Sequence, residues 1–156
     1  MRKRSKYRPK GVLQNPLGYV LEGFTPVTQH DSFAIDLRTK NHWALAELTQ
    51  GRATRPDLDV LINALNMTEA LCRLGLGDDY EAVIKAGLQA LRSVGGRGLA
   101  TGRFVLKSDE MNALNQAMEL HDAQLDIATI RDIEKAIRLV QTEFRLKKAT
   151  PIKAIS

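Results

Sequence analysis

Apolar residues recur at spacings of three and four residues in five successive segments of the chain. The last segment shows the pattern most regularly, with Ile130, Ile133, Ile137, Val140 and Phe144. This spacing places the side chains on one face of an α-helix and does not suit a strand, whose period is two. The chain is therefore predicted to be an all-α protein of about five helices, packed as a single bundle-like domain with an extended basic N-terminal arm.

Residues that favour helix ends stand at the borders of these segments. Gly51 follows the first segment, and Thr54 with Asp57 has the shape of a capping box at the start of the second. The other cap residues are Asp78 with Glu81, Ser108 with Asp109 and Glu110, and Thr129 with Asp132. Because the connection between the fourth and fifth segments is short, these two helices are predicted to form an antiparallel hairpin.

The positive charge of the chain is concentrated at its amino end. The net charge is +5 at pH 7, yet the rest of the chain has a slight acidic excess once the cations that precede Glu22 are set aside. These cations are Arg2, Lys3, Arg4, Lys6, Arg8 and Lys10. A run of like charges without an apolar stretch cannot fold alone. The sequence therefore predicts a flexible basic arm (1–10), a single helical domain (11–150) and a C-terminal tail (151–156).

Cysteine content and hydropathy favour a cytoplasmic protein. Cys72 is the only cysteine, so no internal disulfide can form and a reducing compartment is expected. Its place among the apolar residues of the second segment predicts a buried thiol rather than a reactive one. No run approaches the ~18 apolar residues that a membrane span needs, so no membrane partner is expected.

A glycine-rich stretch, SVGGRGLATGRFVLK (93–107), follows the third segment. Its glycines resemble a dinucleotide-binding fingerprint in letters only, because that motif requires a strand before the glycines and a helix after them. The stretch is predicted to end the third helix near Val94 and to continue as a flexible connection. A phosphate-binding loop is the alternative, since backbone N–H groups beside the cations in or next to this stretch, Arg92, Arg97, Arg103 and Lys107, can bind an anion without a named motif.

No catalytic or metal-binding pattern is evident. His30–Asp31 and His121–Asp122 spell the HD dipeptide of helical metal phosphohydrolases, but the further His and Asp that those enzymes need do not occur at suitable distances. His121 lies on an apolar face, which predicts a core histidine with a hydrogen-bonding neighbour. One cysteine and three scattered histidines cannot form a close metal cluster. We expect a non-enzymatic protein without metal or cofactor, and a metal phosphohydrolase is the minor alternative.

Several stretches carry a resemblance to known proteins. MRKRSKYRPK leads into NPLGYVLEG, and LTQGRAT and MELHDAQLD follow. In style and order, and over most of its length, the chain resembles the small basic proteins of unassigned function found in bacteriophages, prophages and related mobile elements. The resemblance implies a bacterial cytoplasm and an accessory role in phage replication, regulation or host takeover. It implies no site residues.

The basic arm is the strongest functional signal, because clustered cations with an aromatic residue among them suit the phosphate backbone of DNA or RNA. The residues expected to contact nucleic acid are Arg2, Lys3, Arg4, Lys6, Tyr7, Arg8, Lys10, Arg97, Arg103, Lys147 and Lys148. The last segment could add four cations to this set. These are Arg131, Lys135, Arg138 and Arg145, although Asp132, Glu134 and Glu143 dilute the charge of that segment.

Protein partners form the alternative to nucleic acid. An inhibitor or adaptor could bind a host or phage protein through its helical faces. The matched apolar faces of the last two helices also allow a homodimer, although a monomer would bury them equally well.

Overall fold

The protein is an all-α bundle in the part of the chain that the structure, a computed structural model, describes. That part is residues 31–146 with Phe24, Pro26, Ile152 and Lys153, and of residues 31–34 it includes the backbone alone. The helices are α1 (Asp31–Thr49), α2 (Arg55–Arg73), α3 (Glu81–Thr101), α4 (Ser108–Ile127) and α5 (Ile130–Arg145). The predicted fold class is confirmed, while the arm at 1–10 lies outside the described residues.

Helix α2 is the centre of the bundle and packs against each of the other four helices. Its antiparallel packing on α3 follows from two close approaches, in which Gly87 faces Leu65 and Gly95 faces Leu58. Short connections make α1 and α2, and likewise α3 and α4, adjacent in space as well as in sequence. The first four helices therefore run alternately up and down around α2.

The helix starts follow the predicted caps in part. The Asp57 carboxylate accepts a hydrogen bond from the Thr54 backbone N–H at 2.7 Å, as the capping box requires. The box expected at Asp78 is instead a 3₁₀ turn, Asp78–Tyr80, and α3 begins after it. The cap of α4 is Lys107, whose N–H donates to the Glu110 carboxylate at 2.9 Å.

Two apolar clusters form the core. The larger joins α1 to α4 and contains Ala44, Leu48, Leu58, Leu61, Ala64, Leu65, Leu91, Val94, Phe104, Leu114, Ala117 and Met118. The smaller fixes α5 to the carboxyl ends of α2 and α4 and contains Ala70, Leu71, Leu125, Ala128, Ile133 and Ala136. Ile152, which the sequence places in a C-terminal tail, packs against the larger cluster and is part of the folded body.

The glycine-rich stretch is helical, which corrects the prediction of a flexible connection. α3 continues through Gly95, Gly96 and Gly98 to Thr101 and ends at Gly102, whose φ of 78° is left-handed. The buried glycines permit close packing: a Cβ at residue 98 would lie 2.7 Å from Cγ of the Phe104 ring. These glycines leave room for neighbouring side chains, and their backbone N–H groups serve the helix rather than a phosphate.

The predicted hairpin of the last two helices is also wrong. α5 packs on α2, whereas α4 packs chiefly on α3. The reason is that α4 turns its apolar face into the larger cluster, where Leu114 and Met118 are buried. Ile133 and Ala136 of α5 then find their partners at the carboxyl end of α2.

A buried hydrogen-bonded chain crosses the core and contains His121. Thr68 Oγ1 lies 2.8 Å from His121 Nδ1, and Asn41 Nδ2 lies 3.0 Å from His121 Nε2. All three side chains are buried, which confirms the predicted core histidine with neighbours that satisfy it. Burial lowers the pKa of His121 to about 4, so the ring is neutral at pH 7.

Candidate nucleic-acid interface

Helix α5 carries a row of cations on its solvent side. We use the name basic row for Arg131, Lys135, Arg138, Thr142 and Arg145. With 3.6 residues per turn, positions four and three residues apart fall on one face, and this face is opposite the buried residues Ile133 and Ala136. The row spans about 21 Å at a rise of ~1.5 Å per residue. Lys135, Arg138 and Arg145 are exposed and Arg131 is partly buried, and Glu134 borders the row on one side.

The fold holds two of the three carboxylates of α5 away from the row. Asp132 accepts the Thr129 backbone N–H at 2.9 Å and closes the capping box at the start of the helix. Glu143 forms an ion pair with Arg73 of α2. Among the described side chains, neither Asp132 nor Glu134 has an ion-pair partner, and Glu134 lies one helical turn from both Arg131 and Arg138. The dilution of charge that the sequence suggests is therefore smaller in the folded helix.

The cations of the row make no ion pair with any carboxylate whose side chain the structure describes. Arg131 stacks on an aromatic ring instead, with its guanidinium carbon 4.7 Å from the centroid of Phe24. An isolated antiparallel bridge between Pro26 and Thr129 holds the Phe24 segment beside the start of α5. Phe24 is itself 61% exposed, so a cation and an accessible ring mark the amino end of the row.

Most of the residues that the sequence assigned to nucleic-acid contact lie outside the described part. They are Arg2, Lys3, Arg4, Lys6, Tyr7, Arg8, Lys10, Lys147 and Lys148. Lys147 and Lys148 follow α5 in the sequence, so the charge of the basic row continues into the next residues of the chain.

Arg97 is committed to an internal ion pair. Its Nη1 donates to Glu110 Oε1 at 2.7 Å, and its Nη2 donates to the Val105 carbonyl oxygen at 3.0 Å. The hydrogen bond from Arg97 lowers the pKa of the Glu110 carboxyl, which keeps the pair ionised at neutral pH. Because its charge and most of its donors are used within the protein, Arg97 is poorly placed to contact nucleic acid.

Arg103 is exposed but distant from the basic row. Arg103 precedes Phe104, whose ring packs on Gly98. Gly98 is near the carboxyl end of α3, and this end of α3 lies beside Leu58 of α2. The basic row lies on α5, which packs on Ala70 of α2. Ala70 is 12 residues after Leu58 along α2. Twelve residues of helix correspond to about 18 Å, so Arg103 and the row do not form one continuous patch.

Two features of other protein classes are absent from the described residues, a metal-binding cluster and a membrane-spanning helix. They contain no group of three or more His, Cys, Asp or Glu side chains that could hold a metal ion, and none of their helices is long and apolar enough to span a membrane. A shallow groove of about 450 Å³ lies between α1 and α2 and includes Trp43, Pro56 and Val60. Its lining combines these apolar side chains with the titratable side chains of Asp36, Lys40 and Asp57.

The basic row could have been found from the sequence, since Arg131, Arg138 and Arg145 repeat every seven residues. The cap role of Asp132 was also predicted from the sequence, whereas the pairing of Glu143 with Arg73 depends on the fold. Comparisons of the chain with protein-family models, curated proteins and solved structures find no match.

Proposed function

We propose that this protein is a non-enzymatic accessory protein that binds nucleic acid through the basic row of α5, together with the basic arm at 1–10. The observation that carries the proposal is the row itself: four cations on the solvent face of one helix, none paired with a described carboxylate. The resemblance to bacteriophage and prophage proteins suggests the setting for such a role.

Polyanion binding suits the row for an electrostatic reason. Cations that neutralise phosphates release condensed counterions, and this release supplies most of the affinity of sequence-independent binding. A residue already paired within the protein, such as Arg97, contributes little because it must first give up its own carboxylate. The cations of the basic row have no such internal partner to lose among the described side chains.

The test measures binding of fluorescently labelled oligonucleotides by anisotropy over a range of salt concentrations. The decisive variant is Lys135→Gln/Arg138→Gln, which removes two cations from the middle of the row. We expect the slope of log affinity against log salt to fall in magnitude by about 1.4 for a single strand or 1.8 for a duplex, from ~0.7 or ~0.9 per phosphate contact. Deleting residues 1–10 should reduce the slope further while α-helical circular dichroism is retained.

The matched control is Arg92→Gln/Arg103→Gln. Both arginines are exposed on another part of the bundle, and the double change alters the net charge by the same amount. We expect this variant to bind almost as wild type does. Equal weakening by the two double variants would show that only net charge matters, and failure of the wild-type protein to bind any oligonucleotide would refute the proposal.

A further inference from the structure

Helix α5 carries an apolar strip whose carboxyl half is exposed. We use the name apolar strip for Ile130, Ile137 and Phe144, which follow one another at intervals of seven residues and so share one side of the helix. This side adjoins the buried Ile133 and lies away from the basic row. Ile130 is partly buried, whereas Ile137 is 38% exposed and Phe144 is 74% exposed. The described part of the chain therefore leaves the carboxyl half of the strip open.

The first described residues of the chain lie beside the amino end of α5. Pro26 forms an isolated antiparallel bridge with Thr129, the residue that caps α5, and the Phe24 ring lies under Arg131 in the first turn. The chain that precedes Phe24 therefore starts from this end of the strip. The groove that contains Trp43 is more distant, because it lies at the amino end of α2 whereas α5 packs on the carboxyl end.

The residues that precede Glu22 are apolar and uncharged. We use the name apolar segment for GVLQNPLGYVL (11–21), which has no charged residue and lies outside the described residues. Its apolar members are Val12, Leu13, Leu17, Tyr19, Val20 and Leu21. Disordered chains are poor in such side chains, so a segment of this composition is expected to bury them. At ~3.3 Å per extended residue it reaches about 36 Å, whereas the strip from 130 to 144 is about 21 Å long.

We propose that the apolar segment docks along the apolar strip of α5, antiparallel to the helix, with its apolar side chains over Ile137 and Phe144. Covalent connection selects this occupant over a second copy of the protein. Only residues 22 and 23 separate the segment from Phe24 at the start of α5. A short connection of this kind holds a segment at an effective concentration of ~mM beside its site, far above the concentration of a second copy in dilute solution.

The docking also brings the two basic elements of the protein together. With residue 21 at the amino end of α5, the extended segment reaches the carboxyl end of the helix at about residue 11. The arm at 1–10 then begins at the carboxyl end of the basic row. Only this consequence concerns the proposed function, because the docking itself does not depend on nucleic acid.

The test is a double-mutant cycle in the full chain, with Tm measured by circular dichroism in the absence of nucleic acid. Phe144→Ala removes the ring from the strip, and Leu17→Asp/Leu21→Asp places charges in the apolar segment. Alanine is the better helix former, so on an uncovered strip Phe144→Ala should leave Tm unchanged or raise it slightly. Because the segment covers the ring, we expect Phe144→Ala to lower Tm by at least about 3 °C, and to have no such effect in the Leu17→Asp/Leu21→Asp background.

Trp43→Ala is the matched control, since Trp43 is 66% exposed but lies in the groove between α1 and α2. Its effect on Tm should be the same with and without Leu17→Asp/Leu21→Asp. The docking would be overturned by a Phe144→Ala variant that keeps the wild-type Tm, or by a decrease in Tm that the two aspartates leave unchanged. A decrease that depends on protein concentration would assign the strip to a second copy and overturn it as well. None of these outcomes depends on whether the protein binds an oligonucleotide.

Discussion

Substituting Gly98 by alanine tests whether the glycine-rich stretch exists for close packing. In a solvated helix, Gly→Ala stabilises by about 1 kcal/mol, because alanine loses less conformational entropy on folding. At residue 98 the new Cβ would lie 2.7 Å from Phe104 Cγ, well inside the ordinary contact distance of ~3.5–4.0 Å. Such overpacking typically costs ~1–3 kcal/mol, and more where the displaced group is a buried ring.

Phe104 is only 8% exposed and packs in the larger cluster, so it cannot move aside without losing core contacts. We therefore expect Gly98→Ala to lower the free energy of unfolding by about 1–2 kcal/mol, measured by urea denaturation with circular dichroism. In a domain of this size that loss corresponds to a decrease in Tm of roughly 2–8 °C.

The sign of the effect should invert when the ring is removed. In a Phe104→Ala background, itself destabilised by about 3–5 kcal/mol, Gly98→Ala should stabilise by up to ~1 kcal/mol, since the intrinsic helical preference then acts alone. Gly102→Ala serves as the control: residue 102 has a φ of 78° and no atom within 4 Å of its Cβ position, so its cost should be the same in both backgrounds. A stabilising Gly98→Ala in the wild-type background would refute the packing argument.

Two further predictions concern buried titratable groups. The pKa of His121 is lowered by burial from 6.5 to about 4, so between these values the unfolded chain binds a proton that the folded protein does not. The free energy of unfolding should thus be retained above pH 6.5 and fall by up to ~3 kcal/mol as the pH decreases to about 4, and His121→Gln should remove this part of the decline in urea denaturation. Burial also raises the pKa of the Cys72 thiol, whose Sγ donates to the Gly77 carbonyl oxygen at 2.9 Å. An aromatic disulfide reagent should therefore modify Cys72 only at the rate of protein opening, and rapid modification of the native protein would contradict its burial.

The helices that could be predicted from the sequence are those whose ends depend on nearby residues. The starts of α2 and α5 follow from the pairs Thr54–Asp57 and Thr129–Asp132, in which cap and partner are three residues apart. The carboxyl end of α3 could not be predicted in this way. Its glycines would disfavour a helix in isolation, and they are helical because Phe104 and Ile152 pack where side chains would otherwise stand.

Local sequence patterns could not predict which helices pack against each other. The apolar face of α5 would suit any apolar neighbour, and the assembled core offers it Ala70 and Leu71 of α2, with only the last turn of α4 at Leu125. The same limit applies to the candidate site. The cations of α5 are visible in the sequence, but the pairing of Arg97 with Glu110, or of Glu143 with Arg73, depends on residues that the fold brings together.

The arrangement of charge on α5 shows why its cations need not weaken the helix. Arg131 with Lys135, and Lys135 with Arg138, are like-charge neighbours one helical turn apart, and each such pair costs an isolated helix about 0.2–0.5 kcal/mol. Opposite charges stand at the same spacings in Arg131 with Glu134, Asp132 with Lys135, and Glu134 with Arg138, and they stabilise the helix by a similar amount. The repulsion is therefore offset within the helix, so α5 can present four cations without a bound polyanion. If the proposed function is correct, nucleic acid should raise the Tm of the protein with its concentration, because a ligand that binds only the folded state stabilises that state.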